Sequence, residues 1–190
     1  FSEIGLYSGV AATDWSWSAL WMDFDNDGLK DLFVSNGIPR RLNDIDYINY
    51  VSNSEMQQKL QSANLDKKDI DALNKFPEIK IFNKFFRNEG NMQFQDIGNE
   101  IGNVQLTFSN GAVYADLDND GDLDVVVNNI DEPAMIYENK TNDKKNGKNN
   151  KDFVDIKLNG SSKNINALGA KIILYCNGGI RTYEKYPVRG

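Results

Sequence analysis

Apolar and polar residues alternate over short stretches through much of the chain. SALWMDF (18–24) and GAVYADL (111–117) interleave small or polar residues with larger apolar ones, whereas DLFVSN (31–36) and DVVVNN (124–129) open on an aspartate and run into apolar residues. IFNKFFRN (81–88) and AMIYEN (134–139) follow after turn residues. Runs of this length, rich in β-branched and aromatic residues and bounded by Asn, Asp and Gly, predict short strands. Residues 40 to about 76 break the pattern: Ile45, Tyr47, Ile48 and Val51, then Ile70 and Leu73, fall at helical spacing. Ser52 and Glu55 form a capping-box pattern and Pro77 is a stop signal, so two or three short helices are expected there. Beyond the polar run TNDKKNGKNNK, which has no means of packing a core, FVDIKLNG, LGAKIILYCNG and IRTYEKYPV read as three further strands around glycine turns.

The pattern repeats. Shifted by 93 positions, residues 1–36 align with 94–129 without a gap, and eight of the fourteen positions from 23 to 36 are identical. FSEIG falls on FQDIG, and DFDNDGLKD (23–31) falls on DLDNDGDLD (116–124). The true period is shorter, because KFFRN (84–88) returns as IYEN (136–139) about fifty residues on, so the first copy carries the helical stretch as an insertion. About fifty residues with about four strands is the size of a propeller blade.

Composition narrows the function. A net charge of −7, with 28 acidic against 21 basic residues, argues against a nucleic-acid partner whose binding would come from neutralised phosphates. Histidine is absent, which removes the usual general base and the commonest zinc ligand. The single cysteine, Cys176, sits in KIILYC and reads as a buried structural thiol. No apolar segment is long enough to span a membrane, so no membrane insertion is expected. Phe1 in place of Met and the ending YPVRG lead to the expectation of a piece of a longer protein.

The spacing D-x-D-x-D-G-x-x-D answers what the aspartates hold. Four carboxylates within nine residues repel one another unless a cation sits between them, and calcium takes six to eight oxygen ligands in a flexible shell. The expected ligands in the first loop are Asp23, Asp25, Asp27 and Asp31 with the backbone carbonyl of Leu29. In the second they are Asp116, Asp118, Asp120 and Asp124 with the carbonyl of Asp122. An EF-hand is excluded, since Val34 and Val127 stand where it needs a bidentate Glu. Magnesium prefers to keep several waters, and zinc and copper lack their nitrogen and sulfur donors. Two calcium ions would bring the net charge from −7 to −3.

These loops, with the strands before them and FFRN or IYEN after, resemble the FG-GAP or VCBS-type repeats of calcium-binding β-propellers, related to the blades of integrin α-subunits. VDIKLNGSSKNINALGAKIILY (154–175) is similar to the opening of the ASPIC/UnbV domain, which follows such repeats in bacterial surface proteins. The resemblance implies a mainly β fold of propeller-like blades with a helical insertion, placed outside the cell or on its outer surface. It implies a calcium-stabilised binding or adhesion module with a protein or glycan ligand, and not an enzyme. The expected organisation is a first repeat over residues 1–39, the insertion over 40–78, a second repeat over 79–142, a linker over 143–151 and a truncated ASPIC/UnbV-like β domain over 152–190.

The alternative function is part of a secreted polysaccharide-active enzyme, since paired acids and calcium serve such chemistry. Against it, every clustered acid already belongs to a loop. Among the aromatics before the first loop, Trp21 aligns with Tyr114 and reads as repeat core, Trp15 aligns with Phe108, and Trp17 aligns with Asn110 and is the one to test for ligand contact. Arg40 and Arg41 open the insertion as a solvated pair or an anion contact. The insertion itself reads equally as a partner-binding cap or as a structural brace.

Overall fold

The half-alternating run at 16–22 and the apolar run at 31–36 have the patterns of a half-covered strand and a strand covered on both faces, and the two pair. The computed structural model describes residues 1–39, 44–76, 78–102, 104–142, 153–176 and 179–187. Strands β1 (Ser16–Met22), β2 (Asp31–Asn36), β3 (Lys84–Asn88) and β4 (Phe94–Asp96) form one antiparallel meander. Strands β5 (Ser109–Ala115), β6 (Asp124–Asn129) and β7 (Met135–Tyr137) form a second sheet, and β8 (Lys171–Cys176) with β9 (Gly179–Glu184) a hairpin. The fold is mainly β with a few short helices. Among the described residues the sheets do not close into a ring.

The 93-residue repeat extends to a defect. The register between β1 and β2 shifts between Ser16 and Ala19, and that between β5 and β6 shifts between Ser109 and Ala112, at equivalent positions. A bulge copied in place belongs to the repeat's design.

The core lies where the two sheets meet, with β1 beside β5. Leu20, Met22, Phe33 and Phe85 from the first sheet, with Ile97 just after β4, pack with Val125 and Val127 from the second sheet. Phe33 meets Phe85 edge-on at 4.8 Å between ring centres, and Phe85 meets Tyr137 at 5.1 Å, which joins the sheets through aromatic rings. On the other face of the first sheet, Leu32, Val34 and Phe86 are covered by Val10 and Phe94. At the end of β2 away from the aspartate loop, Asn36 N donates to Asn83 Oδ1 at 2.8 Å and Asn83 Nδ2 donates to Ser109 Oγ at 3.0 Å. These buried polar groups are satisfied across the seam between the sheets.

Three helices occupy the insertion: α2 (Ile45–Val51), α3 (Ser54–Gln61) and α4 (Lys67–Leu73), preceded by a short α1 (Gly5–Ser8) near the start of the chain. The capping differs from expectation. Ser52 closes α2, and α3 is capped by Asn53, whose side chain accepts from Glu55 N. The reciprocal box sits on α4, between Asp66 and Asp69, because a short carboxylate at each place reaches the other's backbone N–H. Lys59 ties α3 to this box through Asp69 at 2.9 Å and Asp66 at 3.4 Å. Pro77, Arg40 and Arg41 lie outside the described residues.

Four other expectations change. Strands β3 and β4, assigned from sequence to the second repeat, are hydrogen-bonded into the first sheet, so the insertion is an excursion between two neighbouring strands. The bridge from Ile38 to Ile79 closes its base. FVDIKLNG forms no strand, and Cys176 is exposed, because among the described residues no third layer buries the β8–β9 hairpin. Trp21 is 49% exposed, in a T-shaped contact with Phe94, because β1 turns Leu20 and Met22 inward and Trp21 outward.

Candidate metal centre

Each aspartate loop joins a pair of antiparallel strands, β1 to β2 and β5 to β6, so the strands fix both ends of both loops. The backbone follows one path twice. Asn26 and Gly28 have φ of 56° and 92°, and Asn119 and Gly121 have 62° and 92°. The left-handed turn suits Asn and requires least strain at Gly. At Gly28 a side chain would also collide with the Arg181 guanidinium, and at Gly121 with the Phe153 ring, both from the C-terminal segment.

The hydrogen bonds are copied residue for residue. Asp23 Oδ1 accepts from Asp27 N and Oδ2 from Gly28 N, at 3.0 and 2.8 Å. Asp116 accepts from Asp120 N and Gly121 N at 3.2 and 3.1 Å. Asp25 and Asp118 accept from the same backbone N–H groups of Asp27 and Asp120. Leu29 N donates to Asp27 Oδ1, and Asp122 N to Asp120 Oδ1. The result is two triads, Asp23 with Asp25 and Asp27, and Asp116 with Asp118 and Asp120, in each of which carboxylate oxygens lie within 4.8 Å of one another. An all-oxygen set of this kind suits a hard cation.

Asp31 and Asp124 stand apart from the triads. Both are buried, and each clamps two backbone N–H groups: Asp31 those of Phe24 and Asn88 at 3.0 and 2.8 Å, Asp124 those of Leu117 and Asn139 at 2.9 and 2.8 Å. They tie the loop's start to the strand that follows in the sheet. Asn88 and Asn139 are residues that sequence reasoning passed over, although the returning FFRN and IYEN carried the signal. Asn88 Nδ2 donates to Lys30 O at 2.9 Å within its own repeat. Asn139 Nδ2 makes the equivalent bond to Leu123 O at 3.3 Å and also reaches Phe24 O in the first loop, joined there by Thr141 Oγ1, and Asn26 Nδ2 donates back to Gly121 O at 3.4 Å. The two loops are therefore neighbours that brace each other.

Four of the loop carboxyls, those of Asp23, Asp31, Asp118 and Asp122, are held above their ordinary range, first by burial and then by their acidic neighbours. Burial pushes Asp31 up to about 6, with Asp25 and Asp23 adding to the effect against two backbone donors. Asp23 is raised by burial and then by the charges of Asp27 and Asp25. Asp118 is raised by burial and then by Asp120. Asp122 is pushed up to about 6, mainly by burial. Acids held above their ordinary range in a cluster are groups lacking a counter-charge.

Comparison with known proteins bears on the second of these loops. Residues 77–127 match the FG-GAP-like repeat family. The matched FG-GAP-like stretch runs from the base of the insertion through β3, β4, β5 and the second loop into β6, and the first loop relates to it through the 93-residue repeat. No curated protein and no solved structure matches the chain.

Away from the loops, Trp17 is 53% exposed, and its indole Nε1 is engaged by Gly37 O at 2.6 Å. The insertion holds a cavity of about 460 Å³ whose lining includes Tyr50, Met56, Lys59 and Asp69. Among the described residues no helix is long and apolar enough to cross a membrane.

Proposed function

We propose that this chain is a calcium-stabilised binding module of an extracellular or cell-surface protein, with one calcium in each aspartate loop and both ions structural. The observation that carries the reading is the pair of carboxylate triads, wired alike and held between strands at both ends. Asp23, Asp25 and Asp27 would hold one ion and Asp116, Asp118 and Asp120 the other, with Leu29 O and Asp122 O completing the sets. Bound calcium supplies the positive charge that these carboxylates otherwise lack. The two sheets, side by side with a shared core, are read as adjacent blades of a β-propeller, a reading supported by the FG-GAP-like match and the repeated bulge. The C-terminal hairpin is read as the start of an ASPIC/UnbV-like domain on its sequence resemblance. The ligand, a protein or a glycan, falls to the exposed surface outside the loops, where Trp17 and the insertion are the places to test.

The test is thermal unfolding of the chain, stripped with chelator and then titrated with calcium, with magnesium as control. At a hundredfold excess over Kd, each site adds about 2.7 kcal/mol. A melting temperature that climbs with calcium and hardly moves with magnesium supports the proposal. A flat response to both ions, with no calcium found in the purified protein, refutes it.

A further inference from the structure

The two sheets use their faces unequally. In the first, Leu20, Phe33 and Phe85 lie side by side across β1, β2 and β3, and all three are buried where the second sheet packs on them. The same places in the second sheet hold Val113, Val126 and Ile136, again one row across three strands. This row points away from the shared core, which takes the alternate residues of β5, β6 and β7. Val113 is 44% and Ile136 64% exposed, and Val126 is half-buried.

The other end of the stack carries the matching surface. Tyr114, Val125 and Tyr137 form the row of the second sheet that meets the first. Its counterpart in the first sheet is the row Trp21, Leu32 and Phe86. Val10 and Phe94 cover Leu32 and Phe86 there, which leaves Trp21 half-exposed. Ile4 is exposed as well, although Ile97, its counterpart in the repeat, is buried in the shared core. The edges agree with the faces. FQDIG supplies β4 to the edge of β3, whereas β7 has no strand beyond it among the described residues, and residues 1–4 of the matching FSEIG form no strand.

We propose that a second copy of this chain docks head-to-tail on the outer face of the second sheet. Its Trp21 and Ile4 seat on the row Val113, Val126 and Ile136, and its residues 1–3 add to the open edge of β7. The repeat itself supplies the fit, because each open surface is a copy of one side of an interface the chain already makes. The second copy's first sheet stands to this chain's second sheet as this chain's second sheet stands to its first. Such a contact is heterologous, so it propagates from copy to copy unless the rotation closes a ring. The inference rests on the reading of the two sheets as adjacent blades, adds to it the partner, and requires no ion.

The experiment is sedimentation velocity of the full chain over about 1 to 200 μM. It compares the wild type, Ile136→Asp, Trp21→Asp and an equimolar mixture of the two variants. The wild type is expected to grow beyond the monomer as concentration rises. Each variant alone should associate at least about tenfold more weakly, because a charge enters the centre of an apolar contact. The mixture should form a heterodimer, since Ile136→Asp keeps the first-sheet surface and Trp21→Asp keeps the second-sheet one. Where circular dichroism shows that either variant fails to fold, Val113→Asp replaces Ile136→Asp and Ile4→Asp replaces Trp21→Asp. A wild type that stays monomeric throughout overturns the proposal, as do variants that associate like the wild type. A mixture that stays monomeric, the result expected of a symmetric dimer, overturns it too. These three outcomes leave the adjacent-blade reading standing. That reading fails separately if Phe33→Ala, which removes a ring buried between the sheets, leaves the melting temperature unchanged.

Discussion

Asn139, on the segment that follows β7, donates its side-chain amide to the carbonyl of Phe24 in the other repeat at 2.6 Å. Its counterpart Asn88 bonds within its own repeat, to Lys30 O. Asn139 keeps that local bond, to Leu123 O at 3.3 Å, and adds to it a rivet between the two loops. Asn139→Ala is expected to cost about 1 to 3 kcal/mol, since it leaves a part-buried carbonyl dependent on Thr141 alone. Urea unfolding followed by tryptophan fluorescence measures it, and the calcium response of the first loop should weaken as well. A loss of calcium response confined to the second loop would show that the rivet transmits nothing.

The charged triads make their own prediction. Asp25→Ala and Asp118→Ala each remove one carboxylate from a triad and should lower calcium affinity together with the calcium-dependent rise in melting temperature. In chelator, either variant should be as stable as the wild type or more so, because a repelling charge is gone. A variant that keeps the full wild-type calcium response contradicts the structural-ion proposal.

The pH dependence has a definite sign. The Asp31 carboxyl is pushed up to about 6 in the folded chain, first by burial, against 3.8 for the ordinary carboxyl. Between these values the folded state binds more protons than the unfolded state, so the stability of the metal-free protein falls as pH rises through this window. It is greatest below about 4 as far as this group is concerned, and the loss is complete above about 6, at up to about 3 kcal/mol. Asp122, also raised to about 6, adds in the same direction. Calcium requires the ionised carboxylates, so its stabilising effect should grow over the same interval. Urea midpoints at pH 5 and pH 7, in chelator and in calcium, should diverge in this way; parallel curves would contradict it.

Gly28 gives a test of backbone rather than charge. Gly28→Ala places a Cβ at φ 92° and into the Arg181 guanidinium, and should cost about 1 to 3 kcal/mol. The double variant Gly28→Ala with Arg181→Ala relieves the collision and leaves the strain. Recovery of part of the melting temperature in the double variant is expected, and full recovery would mean that the left-handed turn costs nothing.

Much of this architecture was legible because the chain repeats itself. Strands β1 and β5, β2 and β6, and the two triads follow directly from the 93-residue shift. The return of KFFRN as IYEN pointed to β3 following β2 across the helical excursion, but the repeat boundary at residue 79 left β3 and β4 with the second repeat, while their hydrogen bonds join the first sheet. Cys176 misled for a different reason: KIILYC has the composition of an interior strand, but burial depends on a covering layer that local sequence does not encode. The capping box moved because Asp66 and Asp69 satisfy the same donors as Ser and Glu with shorter arms. At the loops, spacing identified the acids but not their division of labour. Asp31 and Asp124 bond beyond their loops, to Asn88 N and Asn139 N, whereas the bonds of Asp23 and Asp116 stay within theirs.

Both loops contain an Asp-Gly bond, Asp27 to Gly28 and Asp120 to Gly121, the aspartyl bond most prone to close on itself into a succinimide and reopen as isoaspartate. That rearrangement needs the glycine nitrogen to swing onto the preceding carboxyl. Here the nitrogens of Gly28 and Gly121 are bonded to Asp23 and Asp116, and the C-terminal segment lies against both glycines. The geometry that gathers the carboxylates thus also protects the loops from chemical ageing. An unfolded or stripped chain loses that protection at its two most acidic turns, and its damage would register as isoaspartate accumulating there first.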